Sequence, residues 1–193
     1  GQCPHMVGSY NLAKVHLHST NLYKQLEKET GQATGFHDCG SLRLAYKKED
    51  IDWFHYVKGI MDNVGSPAEI LSPNEIKNVH PFIRLDGILA AFHTPEDGHT
   101  DPSSTTNAMA KGARNGGAKI YRKNRVTDIR QLPSGEWKVF TENGDIVCEH
   151  VVNAAGSFCP EVGAMVGLKE VPSINMIHHY LVTESHPEIE KLK

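Results

Sequence analysis

Apolar residues recur at Leu12, Val15, Leu22 and Leu26, with Tyr23 beside them, between Asn11 and Thr30. This is the spacing of one helix face, and Gly31 ends the run. A second helical stripe, Ile51, Phe54, Val57, Ile60, Met61 and Val64, closes at Gly65. Between the two, from Gly35 to Tyr46, the short alternation Ser41, Leu42, Arg43, Leu44 predicts a half-buried strand. Ser72-Pro73-Asn74-Glu75 has the form of a capping box, with serine at the N-cap, proline at N1 and glutamate at N3, and predicts a short helix ending before Pro81. Gly87 to Phe92 is an apolar run expected as a strand. Asp101-Pro102 repeats the cap-then-proline signal ahead of a helix that Gly116-Gly117 stops.

The remainder is rich in strand signals: Lys119 to Tyr121, Arg125 to Arg130, Glu136 to Thr141 and Asp145 to Ala154, with a hairpin turn at Asn143-Gly144. Ser157 to Gly167 is expected as a helix and Met176 to Thr183 as a final strand. Helices and strands alternate without segregating, so the fold class is α/β or mixed α+β.

Composition narrows the function classes. A chain of 193 residues that is 39% hydrophobic can bury a core. Its formal charge of −3, with cations and anions interspersed, gives no basic stripe, so neither a nucleic acid nor a membrane surface is expected as a partner. No apolar run has the length of a membrane span. Cys3, Cys39, Cys148 and Cys159 form no C-x-x-C pair and are expected as free thiols. The 12 histidines show no H-E-x-x-H spacing, and His16 and His18 diverge on their helix, so no metal site is expected. The close spacing of Gly163 and Gly167 is expected to serve helix packing. Gly1 at the start and EIEKLK at the end suggest an internal segment of a longer protein.

The most informative stretch is Val151-Val152-Asn153-Ala154-Ala155-Gly156, an apolar strand running into residues with almost no side chain and then into a helix. Small residues there let main chain approach a flat or charged ligand, and the helix N-terminus offers N–H groups. A nucleotide-like cofactor fits this pattern, and so does a tight turn packed for structure alone.

In order along the chain stand GFHDCGSLRLA (Gly35 to Ala45), DGHTDP (Asp97 to Pro102), AKGARNGGAKIY (Ala110 to Tyr121), NRVTDI (Asn124 to Ile129), VVNAAG and IHHYLVTE (Ile177 to Glu184). This ordered set resembles the dimethylglycine and sarcosine dehydrogenase branch of the D-amino-acid-oxidase-like flavoproteins, over essentially the whole chain. The resemblance implies a two-domain FAD-linked amine oxidoreductase. Its FAD-binding, Rossmann-like part would comprise residues 1–34 and 95–172, without the N-terminal G-x-G-x-x-G unit. Its substrate domain, with an antiparallel sheet, would comprise 35–94 and 173–193.

The resemblance also implies roles. Gly1 and Gln2 match the segment lining the flavin, just after a histidine, outside this sequence, to which FAD is often covalently bound. Val126, otherwise an ordinary core valine, and Ala155, Gly156 and Phe158 match backbone contacts to the cofactor. Flavin-dependent amine oxidation needs a neutral amine held with its C–H bond toward the flavin, and a nearby histidine or tyrosine can take the proton. His178 and Tyr180, on one face of the expected strand, match the family's H-x-Y segment as proton acceptor and hydrogen-bonding partner, though a half-buried structural pair fits the pattern as well. His99 is read as a turn residue beside the helix cap. Where the family usually carries aromatics, this chain has Ser103 and, after NAAG, Ser157.

The implied function of the intact protein is oxidative demethylation of a small N-methyl amino acid. An electron-transfer acceptor and a folate site in a further C-terminal region would accompany it, in a bacterial cytoplasm or a mitochondrial matrix. The isolated segment would be inactive. A non-catalytic regulatory subunit on the same scaffold and a glycine- or D-amino-acid-oxidase-like enzyme are the alternatives.

Overall fold

A computed structural model describes residues 1–177, 179, 181 and 184–191. In chain order the elements are β1 (Gln2–Cys3), α1 (Tyr10–Thr30), β2 (Ser41–Ala45), α2 (Lys48–Val64), β3 (Glu69–Leu71), α3 (Pro73–Val79), β4 (Ala90–Thr94), β5 (Gly98–His99) and α4 (Pro102–Asn115). After them come β6 (Val126–Gln131), β7 (Trp137–Thr141), β8 (Ile146–Cys148), a 3₁₀ turn (Gly156–Phe158) and α5 (Cys159–Met165). The chain divides into two units, one of Gly1–Lys119 with Ser185–Lys193 and one of Ile120–Glu184. The class is mixed α/β with antiparallel sheets.

In the first unit the sheet order is β2-β4-β3, every pair antiparallel. Alternation on β2 sends Leu42 and Leu44 to one face, against Leu71, Ile76, Ile88 and Ala91. Ala45 joins Phe54, Val57, Met61, Ala90 and Phe92 on the other. The helical stripe read from the sequence is thus the buried face of α2, and its Phe54 ring meets Phe92 at 5.5 Å between centroids. At fully buried positions like these, each large apolar side chain contributes about 1.5–3 kcal/mol.

Local signals set the helix ends. Gly31 closes α1 with φ 66°, a left-handed conformation open to glycine at no steric cost, and donates its N–H to the Glu27 carbonyl at 2.8 Å. The capping box of α3 forms: the Ser72 N–H and Oγ donate to Glu75 Oε2 at 2.7 and 2.6 Å. Asp101 Oδ1 accepts from the Ser104 N–H at 2.7 Å to cap α4.

Several expectations are corrected. The stripe on α1 is only partly buried: Leu12 is 50% and Val15 57% exposed, while Ala13, Thr20, Leu26 and Thr30 turn inward. The strand expected over Gly87 to Phe92 starts at Ala90, because Gly87 turns the chain and Leu89 joins β2 by a single bond, N–H to Ala45 O, at 2.9 Å. Lys119 to Tyr121 is not a strand.

In the second unit the Asn143-Gly144 turn does join a hairpin, and the sheet order is β6-β7-β8, antiparallel throughout. Its last strand stops at Cys148, so residues 149–154 are not the buried strand expected. Val152 is 86% exposed, and no described strand pairs with it. An apolar run becomes a strand only where a neighbour supplies the ladder. The expected helix from Ser157 begins as the 3₁₀ turn and continues as α5. Gly163 packs closely, since a β-carbon there would meet Val171 Cγ2 at 2.4 Å; Gly167 has open space and is needed for its backbone angle. Four of the residues expected in the final strand (178, 180, 182 and 183) lie outside the described residues.

Candidate cofactor-facing site

In the first unit, β1 pairs antiparallel with β5, Gln2 opposite His99 and Cys3 opposite Gly98. The Thr100 N–H donates to the Gly1 carbonyl at 2.8 Å, and the Gly1 amino group returns a bond to the Thr100 carbonyl. Gly1 and Gln2 therefore lie on a short ribbon beside the capped start of α4. They line a cleft of about 470 Å³ together with Ser19, Tyr23, Thr106 and Met109. Gln2 also borders a second cleft of about 460 Å³ that includes Cys39, Arg43 and His99. Both volumes suit a small organic ligand.

Next to this ribbon lies a buried polar cluster that no sequence pattern announces. The His5 N–H donates to Asp97 Oδ1 at 2.8 Å, and the Ser41 hydroxyl donates to Asp97 Oδ2 at 2.6 Å. The His5 ring lies 3.0 Å from Ser66 Oγ through Nδ1 and 2.9 Å from Thr20 Oγ1 through Nε2. His5 is 1% and Asp97 2% exposed. Burial pushes the His5 imidazole down from its ordinary value, with the nearby carboxylates of Asp97 and Glu96 opposing. Burial pushes the Asp97 carboxyl up, with the bonds from Ser41 and His5 opposing. No periodicity marks such a cluster, because its members come from five separate stretches of chain.

His99 is not merely a turn residue. It sits in β5, stacks on His37 at 5.1 Å between centroids, and brings Nδ1 to 3.6 Å from Cys39 Sγ. All four cysteines are free thiols. Among the described residues no group of three or more histidine, cysteine, aspartate or glutamate side chains could hold a metal ion.

In the second unit, Val126 opens β6 half-buried, opposite Thr141. Ala155, Gly156 and Phe158 stand together on the turn into α5. Asn153 holds that turn, accepting from the Ala155 N–H through Oδ1 at 3.3 Å and donating through Nδ2 to the Cys159 carbonyl at 3.0 Å. Gly156 has φ 57°, and a β-carbon built there would meet nothing within 4 Å. Phe158 is 68% exposed. An uncovered backbone corner of small residues fits the close approach of a nucleotide cofactor's flat or charged surface. Gly1 and Gln2 thus lie in one unit and the other four cofactor candidates in the other. His178 and Tyr180 lie outside the described residues.

FAD dependent oxidoreductase, the DAO family, matches residues 2–193. The chain is 42% identical to rat mitochondrial dimethylglycine dehydrogenase over 95% of its own length and 21% of that protein. It is 33% identical to human mitochondrial sarcosine dehydrogenase over 88% of its length and 19% of that protein. Among solved structures, L-proline dehydrogenase from P. horikoshii superposes with a TM-score of 0.78 at 29% identity, covering 86% of this chain and 44% of that one. The chain thus spans about a fifth of the length of the curated relatives it matches. With the match running almost end to end, the chain belongs to the DAO family of FAD-dependent oxidoreductases, close to the dimethylglycine and sarcosine dehydrogenases.

Proposed function

We propose that the full-length protein oxidatively demethylates a small N-methyl amino acid, dimethylglycine or sarcosine, with FAD as its cofactor. The observation that carries this reading is the identity to dimethylglycine dehydrogenase, which exceeds that to sarcosine dehydrogenase. Bound FAD would supply the oxidant, taking a hydride from the N-methyl carbon.

The residues of this chain would bind and orient. Ala155, Gly156 and Phe158 would hold the nucleotide along the uncovered turn, Val126 would contact it through its backbone, and Gly1 and Gln2 would line the ring system. His178 would take the proton that keeps the substrate amine neutral, and Tyr180 would hydrogen-bond beside it. In domain terms, residues 1–34 and 95–172 would serve FAD binding and 35–94 and 173–193 the substrate.

A covalent link from FAD to a histidine outside this sequence, an electron-transfer acceptor and a folate site belong to the same proposal. So does a mitochondrial matrix location, or a bacterial cytoplasm, which the mitochondrial relatives favour in its first form. Among the described residues no helix is long and apolar enough to cross a membrane.

Steady-state turnover of the full-length protein on dimethylglycine, sarcosine and glycine tests the reading. Flavin reduction by the two N-methyl substrates, and little by glycine, is expected. A preference for glycine would indicate a primary-amine oxidase, and a bound flavin that none of the three reduces would indicate a non-catalytic subunit.

A further inference from the structure

The segment proposed to line the flavin makes few apolar contacts of its own. Gln2 is exposed and Cys3 half-buried, and β1 is two residues long. A ribbon that short does not hold its place by pairing alone. Two residues past β1 the chain reaches buried His5, whose ring nitrogens and main-chain N–H all have partners.

The ring bridges α1 through Thr20 and the turn after α2 through Ser66. The main-chain N–H is taken by Asp97, one residue before β5 and itself tied to the first residue of β2 through Ser41. Neutral imidazole offers one donor and one acceptor. Asp97 Oδ1 lies 3.7 Å from Nδ1, which favours the proton there, so Nδ1 donates toward Ser66 and Nε2 accepts from the Thr20 hydroxyl. Both ring nitrogens and the main-chain N–H then have partners.

We propose that His5 is a positioning residue: by joining α1, the turn after α2 and the Asp97 carboxylate it fixes the β1 ribbon, and through it Gly1 and Gln2, against the cofactor. This rests on the flavin reading for its functional consequence, while the fixing of β1 is a property of the chain itself. The charged and titratable groups facing His5 are Asp97 and Glu96 from the β4–β5 turn and Lys24 and His16 from α1. Lys24 is paired with Asp38 at 2.9 Å, and His16 Nδ1 lies 2.7 Å from the Pro4 carbonyl, so α1 touches the Pro4–His5 segment through both His16 and Thr20.

The test uses the full-length protein and two readouts. The first is amide exchange at Thr100, whose N–H holds the Gly1 carbonyl, together with the His5 N–H. The second is the midpoint potential and visible spectrum of the bound flavin. His5→Leu keeps the bulk and removes both ring bonds, while Thr20→Val removes one of them with little change of shape.

We expect exchange at Thr100 to accelerate about tenfold or more in His5→Leu and by less in Thr20→Val, with exchange in α2 and β4 unchanged. The flavin potential or spectrum should shift in the same order. If His5→Leu does not fold, Thr20→Val alone decides. Unchanged exchange at Thr100 in the folded variants overturns the proposal, as does faster exchange with a flavin that is unmoved. A wild-type protein that binds no flavin would defeat the functional reading, and the exchange arm would still decide the fixing of β1.

Discussion

The carbonyl oxygen of His37 stands 2.2 Å from the point where a β-carbon on Gly98 would sit, so these two backbones meet only because residue 98 has no side chain. Around that contact His37 and His99 exchange backbone hydrogen bonds of 2.8 and 3.0 Å, which close the segment before β2 onto β5. Gly98→Ala is therefore expected to cost about 1–3 kcal/mol or more in urea unfolding, because the obstructing atom is main chain and cannot rotate away. Gly163→Ala, whose obstruction is the Cγ2 methyl of Val171, should cost less. Equal losses in the two variants would mean that the ribbon yields as easily as a side chain does.

The cap of α3 gives a pH-dependent prediction. Two hydrogen bonds from Ser72 hold the Glu75 carboxyl below its ordinary value of 4.5. A depressed folded-state value contributes stability that is complete above the unfolded value and lost as pH falls through the folded one. Glu75→Gln should thus be less stable than the parent at neutral pH, and the two should converge as pH falls from 4.5 through the depressed folded-state value. A constant difference across the acid range in thermal unfolding would refute the cap as its source.

These two caps and the hairpin turn were legible because each is written in two to four consecutive residues: Ser72 to Glu75, Asp101-Pro102, Asn143-Gly144. The stripe of α2 was legible for a related reason, since its centre, Phe54, Val57 and Met61, is buried against one sheet face. Where burial depends on distant chain, local patterning failed. Val151 and Val152 look like a strand by composition, yet no described strand lies beside them. Leu12 and Val15 have helical spacing, yet Ala13 and Thr20 are the residues that turn inward. The His5–Asp97 cluster joins residues 92 apart, and nothing in either neighbourhood announces the other. The candidate cofactor residues were proposed by ordered resemblance, and the one local feature beneath them, the small-residue corner at Gly156, was legible while the holding role of Asn153 in the same motif was not.

That asparagine supplies the next prediction. Asn153→Ala frees both the Ala155 N–H and the Cys159 carbonyl, while Asn153→Asp keeps the first bond and loses the second. At roughly 1 kcal/mol per hydrogen bond, flavin binding by the full-length protein should weaken up to about 30-fold for alanine, which loses two bonds, and up to about fivefold for aspartate, which loses one. Titration of flavin-free full-length protein with FAD, read before any covalent link forms, measures it. Equal affinity in wild type and Asn153→Ala would remove this corner from the cofactor site.

His178 and Tyr180 are proposed on resemblance, and kinetics separates their roles. A proton acceptor typically contributes about 10²–10⁴-fold. His178→Asn should slow flavin reduction by that order at neutral pH, and the deficit should shrink as rising pH deprotonates the amine without help. Tyr180→Phe, which removes a single hydroxyl, should show a smaller loss that is independent of pH. A pH-independent deficit in His178→Asn, measured by stopped-flow reduction, would make that histidine structural.

The buried pair at the base of the ribbon should leave its own mark on stability. His5 is held below its ordinary 6.5, so the unfolded chain takes up its proton first as pH falls. Stability from this residue is complete above 6.5 and is lost on acidification below it. Asp97 is held above its ordinary 3.8, so here the folded chain binds the proton first, and its contribution grows as pH falls toward that value. The two slopes oppose each other in the window between. Asp97→Asn keeps an oxygen for the His5 N–H and removes the opposing slope, so acidification from pH 6.5 should destabilise it more steeply than the parent. His5→Gln removes the other slope, and its urea midpoints should fall less than the parent's across that range. Parallel curves for all three proteins would show that neither group titrates differently on folding, and the neutral His5 inferred from its burial would then be wrong.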